Sequence, residues 1–466
     1  MTLARSSRAT TARAARRAPT DLPFVFPDRG LAQALAAERV EPAWLRDDRL
    51  AAWKAYDALP IESNQLYTTY VDLRAADLFA AKPYVKTAAG STTDGEIGVA
   101  PDGIAGLVEL DEDGIVTLAL SDAARSAGVI LETLGAAIAR DEAAARAELA
   151  DHGTLPTDDK LAMLTRGFWN QGIRVLIPDD AVLAEPIVLR WRAGAPDRAL
   201  LTRTIVRLGA GAKAALVEEL LPGSVAVALG AGQSLFTGTL EVDLAAGAEL
   251  RVASIQEFGP GQVVVQHRQA SIGAGANLHW ALAQLGGRLV RSRVGNHLEG
   301  DQSTVEQVEI VFGSDDQLFD LTSYTRHVGR DTTGNLLSKG VLVDAARSYM
   351  KGMITIEKTA IGTDSFLGEF GMNLSKKARS VAIPSLEIDQ PDCRRAAHSS
   401  SVGPIGETQL FYLESRGIPP DDARKFIVLG FLEPVVARVP LEDARDRLRE
   451  LLEDKWAAGM RGAAAA

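Results

Sequence analysis

A mainly β protein is what this sequence predicts, with a β-helix or β-solenoid-like core and helical regions at both ends. Three observations carry the prediction. A loose motif recurs through the middle of the chain: an apolar residue, a small or turn-forming stretch, then a return to alternating apolar residues. At about residue 172 the texture shifts from Ala/Leu/Arg-rich stretches to short β-rich runs punctuated by Gly, Ala, Asn and Asp. Past residue 404 the spacing of amphipathic helices returns.

The elements follow in order. Residues 1–20 carry Arg5, Arg8, Arg13, Arg16 and Arg17 with no acid before Asp21. That composition suits an organelle transit peptide or a disordered basic tail, and the tail is the reading taken. No apolar h-region accompanies it, so secretion is not expected. The expected location is the cytoplasm, or an organellar stroma if the basic start is a transit peptide. Residues 21–171 read as a helical N-terminal region. After Pro23 and Pro27, residues 31–59 have helical spacing broken at Pro42. Residues 121–149 read as a second helix, with Ser121 as N-cap and Asp122 in the first turn. A third spans 157–172, capped by Thr157.

Residues 172–403 form the predicted β core. Copies of the motif begin at residues 208, 244, 272, 298 and 328, with a weaker one at 374. The intervals are too uneven for a strict solenoid. Strands of this kind still need neighbours to bury their apolar faces, and stacked coils provide them. A β-sandwich is the structural alternative. Residues 404–466 close on helices. One starts at Pro419 and Pro420, with Asp421 and Asp422 in its first turn, where the helix dipole favours acids. The next follows Pro440 and puts Leu441, Leu448, Leu451, Leu452 and Trp456 on one stripe. Such faces pack on the core or on a partner, and the sequence leaves both open.

Composition narrows the function. At 466 residues, two or three structural units are expected, and 46% hydrophobic with 24% charged residues is ordinary globular usage. The net charge of −11 argues against a nucleic-acid partner. Apolar runs such as residues 426–432 are far shorter than a membrane span. There is no G-x-x-x-x-G-K-[ST], and the G-x-G-x-x-A match at residues 209–214 reads as a turn rather than a dinucleotide site. The six histidines (His152, His267, His279, His297, His327 and His398) form no H-E-x-x-H or H-x-H pair. Asp315 and Asp316 would serve a β-helix carbohydrate-binding or lyase protein, the alternative from another functional class, yet such a pair more often marks a turn. Cys393 is the one cysteine, so an intramolecular disulfide is ruled out and the four thiolates of an ordinary cluster cannot come from this chain. His398 lies five positions on, and both residue types hold soft metals. Both are candidate metal ligands, with no catalytic residue assigned.

Four stretches carry a family resemblance: residues 168–189 (FWNQGIRVLIPDDAVLAEPIVL), 327–341 (HVGRDTTGNLLSKGV), 346–356 (ARSYMKGMITI) and 398–431 (HSSSVGPIGETQLFYLESRGIPPDDARKFIVLGF). Together they resemble the SufB/SufD family of iron–sulfur cluster assembly proteins, over roughly residues 157–440. The resemblance implies a right-handed parallel β-helix flanked by helical regions. It implies a scaffold without turnover of its own, paired through the β-helix with a SufB-like subunit or with itself. A SufC-like ABC ATPase would dock on C-terminal helices 419–458 and hydrolyse ATP. Any iron–sulfur cluster would be transient, at a subunit interface, and not bound by this chain alone. Two positions point to the SufD side of the family. The residue before Asp364–Ser365 is Thr363 and the residue after Leu410–Phe411–Tyr412 is Leu413, where SufB-type subunits commonly carry cysteine. His398 matches the family histidine implicated at the SufB interface, which makes it the stronger site candidate, while Cys393 does not align without a gap.

Overall fold

The computed structural model describes residues 29–73, 82–83, 97–151, 155–223 and 233–465. The basic tail assigned to residues 1–20, and His152, lie outside them.

Sixteen strands from Gln171–Ile177 to Arg395–Gly403 alternate between two sheets, so that each coil gives one strand to each. Every neighbouring pair within this stack is parallel; in one file Val264, Val290, Phe319, Ser348 and Ser380 lie side by side. That register excludes the sandwich and makes the core a parallel β-helix of about eight coils. One coil measures 28 residues between Ser234 and Gln262 and 32 between Ser348 and Ser380, which explains the uneven motif spacing. Between the sheets the core is largely apolar, with Trp191, Trp280, Phe236 and Phe319 fully buried, though it also encloses polar groups such as the Glu218–Arg268 ion pair at 2.7 Å.

The recurring glycines sit where coils turn, and there the turns stack. Gly211 and Gly247 adopt φ of +69°, open to glycine at no steric cost. A Cβ at Gly300 would lie 2.0 Å from the Ala274 backbone nitrogen, so the close approach of successive turns requires its absence. Residues 209–212 are one such turn and lead into the strand Lys213–Pro222, not into a helix. Asp315 and Asp316 likewise occupy a turn, where the Asp315 amide donates to the Asp344 carboxylate one coil on.

Helices cover the outer face of both sheets. Arg29–Glu38 and Ala43–Ala58, separated at Pro42 as expected, pack with Lys160–Phe168 on the first sheet through Leu35, Tyr56, Leu161 and Phe168 against Leu201, Val263 and Val265. Arg49 is buried among them and satisfied by Glu41 (2.7 Å) and by the Gly167 and Trp169 carbonyls (3.1 Å). Over the second sheet lie Pro420–Val436 and Glu442–Ala465. Val428, Leu432, Leu448 and Leu452 are fully buried there, each worth about 1.5–3 kcal/mol. The apolar faces of these two helices are therefore spent on their own solenoid.

Two sequence expectations need correction. The helix over 121–149 is broken into pieces. Ser121 caps Asp122–Ser126 as expected, but Gly128 (φ +78°) turns the chain into a strand, Ile130–Thr133, before helices resume at Leu134. The segment Ile130–Thr133 pairs antiparallel with Gln171–Ile177, and this tertiary pairing overrides its helical neighbourhood. A hairpin, Gly106–Asp111 with Gly114–Leu120, also interrupts the expected helical region and adds to the second sheet beside Ile187–Ala193. The third helix runs Lys160–Phe168, and its cap is Asp159, which accepts from the Leu161 and Ala162 amides, not Thr157.

Candidate functional site at the open end of the solenoid

The last coil is made by Arg379–Ile388 in the first sheet and Arg395–Gly403 in the second. Each ends the strand order of its sheet, and among the described residues no strand pairs with either outer edge. Backbone direction alternates along a strand. Arg379 and Asp389 donate inward, to Ala346 and Ile356. The free edge of the first sheet therefore presents Ser380, Ala382, Pro384, Leu386 and Ile388. Pro384 has no N–H to offer, consistent with its place on an edge strand. Arg395 donates inward to Thr363, so His398 has its N–H and C=O on the free edge of the second sheet.

His398 pairs in register with the buried Leu367. Its side chain shares a face with Ala396, two residues earlier, which packs against the apolar cluster of Leu336, Ile354, Ile356 and Leu367. That is the inward face of the coil. His398 is nonetheless exposed, because no further coil lies over it among the described residues. Cys393 sits in the preceding turn, half-buried against the same cluster. His398 is three residues into the strand, about 10 Å along it from Arg395. The structure thus separates the two candidates by role: the thiol packs, and the imidazole stands open.

Thr363 is fully buried and donates to the Ala360 carbonyl at 2.9 Å. Leu413 is half-buried in the short helix Glu407–Glu414. Asp364 pairs with Arg395 at 2.6 Å, tying the last two strands of the second sheet together. Among the described residues no group of three or more His, Cys, Asp or Glu is arranged to hold a metal ion.

Sequence reasoning missed a set of polar groups just beneath this end. His327 is fully buried and lies 2.8 Å from the Thr332 hydroxyl and 3.0 Å from that of Ser365. Ser365 donates onward to the Gly334 carbonyl, so it accepts from His327 Nε2–H, and Thr332 donates to the bare Nδ1. Burial pushes the imidazole down to about 4, which keeps it neutral. One coil nearer the open end, Glu369 is buried on the inner face of the second sheet, and burial pushes its carboxyl up to about 8. On the outer face of the first sheet, Lys351 lies 2.5 Å from Asp320 and 3.9 Å from Glu62, and Arg291 bridges the same two acids at 3.2 and 3.0 Å. Further along that face, Asp159 is fully buried, which opposes ionisation, yet His267 and Arg293 hold its carboxyl well below the usual range. Most of these residues lie in a strand or cap, and Glu62 and Thr332 in loops, where the one-dimensional pattern looks ordinary. The only available signal is polar residues falling on inward or covered positions, and that parity cannot be set until the register is known.

A second exposed feature adjoins the open end. The helix Glu407–Glu414 buries none of its residues, and Phe411, Tyr412 and the nearby Phe426 are 70%, 56% and 62% exposed. No helix among the described residues is long and apolar enough to cross a membrane.

Comparison with known proteins agrees with this architecture. Residues 191–431 match the family described as SUF system FeS cluster assembly, SufBD core domain. The chain is 25% identical over 439 residues to the iron–sulfur cluster assembly protein SufD of Bacillus subtilis, covering 92% of this chain and 98% of that one. It is 28% identical over 313 residues to a SufBD family protein of Mycobacterium tuberculosis, covering 65% of this chain and 75% of the relative. A SufBD family protein of Staphylococcus epidermidis is 24% identical over 445 residues, with 91% and 93% covered. With more than half of its length matched, including all but the first coil of the solenoid, the chain belongs to the SufBD family of iron–sulfur cluster assembly proteins.

Proposed function

We propose that this SufD-like chain is a non-catalytic scaffold subunit that pairs through the open end of its solenoid with a SufB-like subunit and carries a SufC-like ATPase on its C-terminal helices. The observation that carries the pairing is the last coil. Among the described residues it leaves edges of 10 and 9 residues bare, and an uncovered strand edge is a template for another chain unless it is blunted. His398 sits on one of those edges with its imidazole exposed. A neutral imidazole suits a soft metal whose other ligands come from across an interface, so a transient iron–sulfur cluster is the expected cargo there. ATP hydrolysis belongs to the partner, since this chain has no P-loop.

For the ATPase, the exposed aromatics support a surface that shares only Phe426 with residues 419–458 and extends to the preceding helix Glu407–Glu414. Pro420–Val436 and Glu442–Ala465 bury their apolar faces against the second sheet, which leaves Phe411, Tyr412 and Phe426 facing outward. Aromatic residues are enriched among the few that dominate interface energies.

Co-expression with SufB- and SufC-like subunits tests both contacts. Phe411→Ser with Tyr412→Ser is expected to release the ATPase while the SufB-like subunit stays bound, and retention of the ATPase would refute the surface. Iron and sulfide content after anaerobic reconstitution of the complex reads out the cargo.

A further inference from the structure

The terminal strand of the first sheet is held at its midpoint from inside the solenoid, and the strand it pairs with is held at the same level from outside. From inside the solenoid, the Glu369 carboxyl accepts from the Ile383 amide at 2.7 Å. It reaches there because Gly352 has no side chain: a Cβ at Gly352 would lie 3.0 Å from Glu369 Oε1 and 2.5 Å from Leu367. From outside, Tyr67 donates at 2.8 Å to the carbonyl of Gly352, on the strand that the terminal strand pairs with. Tyr67 is itself fixed. Its ring lies 6.2 Å from that of Tyr324 and 5.8 Å from the Lys351 ammonium, and neighbouring Glu62 is anchored to Arg291 at 3.0 Å.

The two grips flank Pro384, which pairs in register with Gly352. The ring of Pro384 fixes its own φ but leaves the strand without an N–H there. Backbone polar groups on either side of it, the Ile383 amide and the Gly352 carbonyl, are taken up by side chains from two different elements. An edge strand with no outer neighbour frays easily, because nothing on that side resists opening. A clamp on the inner side is the means available to hold it straight while its other side stays free.

We infer that Glu369 and Tyr67 are positioning residues: together they hold Arg379–Ile388 in the extended shape that presents its free edge to a partner chain. The inference rests on the pairing proposed above. Burial leaves Glu369 largely protonated near neutrality, so an amide of the same shape can take its place.

The test uses the full chain. In Glu369→Ala and in Tyr67→Phe, hydrogen exchange across residues 379–388 is expected to quicken about five- to tenfold, the worth of one lost hydrogen bond of about 1–1.5 kcal/mol, while Glu369→Gln stays near wild type. Exchange in the strand Gln262–Ile272, far along the stack, serves as the control for global loosening. Affinity for a SufB-like subunit is expected to fall at least about fivefold in the first two variants and to be restored in Glu369→Gln. Unchanged exchange at 379–388 overturns the clamp, and faster exchange with unchanged affinity overturns its positioning role. A wild-type chain that fails to pair would refute the reading of the open end, while exchange in the isolated chain would still decide whether the clamp exists.

Discussion

The two ends of the solenoid are cut from the same coil and finished in opposite ways. At the N-terminal end, Ile130–Thr133 runs antiparallel along Gln171–Ile177 and closes the first sheet, with Leu131 fully buried beneath it. The hairpin Gly106–Leu120 extends the second sheet over the same end, sharing core residues Val108, Leu110 and Leu120 with the first coils. At the C-terminal end, the inward face of the last coil meets no cover among the described residues. His398 is exposed, and Val402 and Ile388 keep 40% and 46% of their surface. A parallel stack cannot finish itself, since every coil presents the same bare edge that it covers on its neighbour. The contrast teaches where this chain stops covering itself: one end is completed by its own residues, and the other is bare among the described residues.

The largest test of that contrast compares one apolar deletion at each end of the isolated chain. Leu131→Ala removes a fully buried side chain from the cap and is expected to cost about 2–5 kcal/mol in chemical unfolding. Val402→Ala at the open end is expected to cost less than about 0.5 kcal/mol. With a paired partner present the second figure should grow while the first stays put. Equal costs in the isolated chain would mean that the open end is already covered.

A smaller effect decides whether the C-terminal helices belong to the finished body or to the exposed end. Lys455, on Glu442–Ala465, donates to the Phe312 carbonyl at 2.6 Å and to Gln317 at 2.8 Å in the wall of the second sheet. Burial pushes its ammonium down to about 7, from the 10.5 usual for lysine. Between those values the unfolded chain holds the extra proton, so stability rises as pH climbs from about 7 toward 10. Lys455→Met should flatten that rise in pH-dependent unfolding. A slope that persists in the variant would show that this helix is not seated as described.

The uneven legibility of the molecule follows the same division. Repeating turns are written locally, by glycines at 211, 247 and 275 that adopt positive φ, so the stack of coils could be read from spacing. The C-terminal stripe of Leu448, Leu452 and Trp456 was also legible, because helical period needs no knowledge of the partner surface. Ile130–Thr133 was not. Its four residues are bordered by helix formers, and only the distant edge at Gln171–Ile177 makes them a strand. The same holds for the site. His398 came into view through its family match, whereas Glu369, Tyr67 and His327 acquire their meaning from neighbours as far as 14, 285 and 38 residues away, which no local pattern records.

The smallest expected change in stability belongs to the residue proposed as the interface metal ligand. His398 is exposed and its ring bears no packing load, so His398→Ala should leave unfolding of the isolated chain within about 0.5 kcal/mol. His327, five strands earlier in the chain, is the internal comparison. It is fully buried, joined to Thr332 and Ser365, and its removal would leave those hydroxyls without their partner, at about 1–3 kcal/mol. If the open end is where assembly happens, the two histidines must separate in function in the reverse order. His398→Ala should pair and fold normally yet lose iron and sulfide after reconstitution of the complex. Unfolding curves and metal content measured on the same two variants decide it. Cluster content that survives His398→Ala would remove the imidazole from the site while leaving the open edges as its boundary.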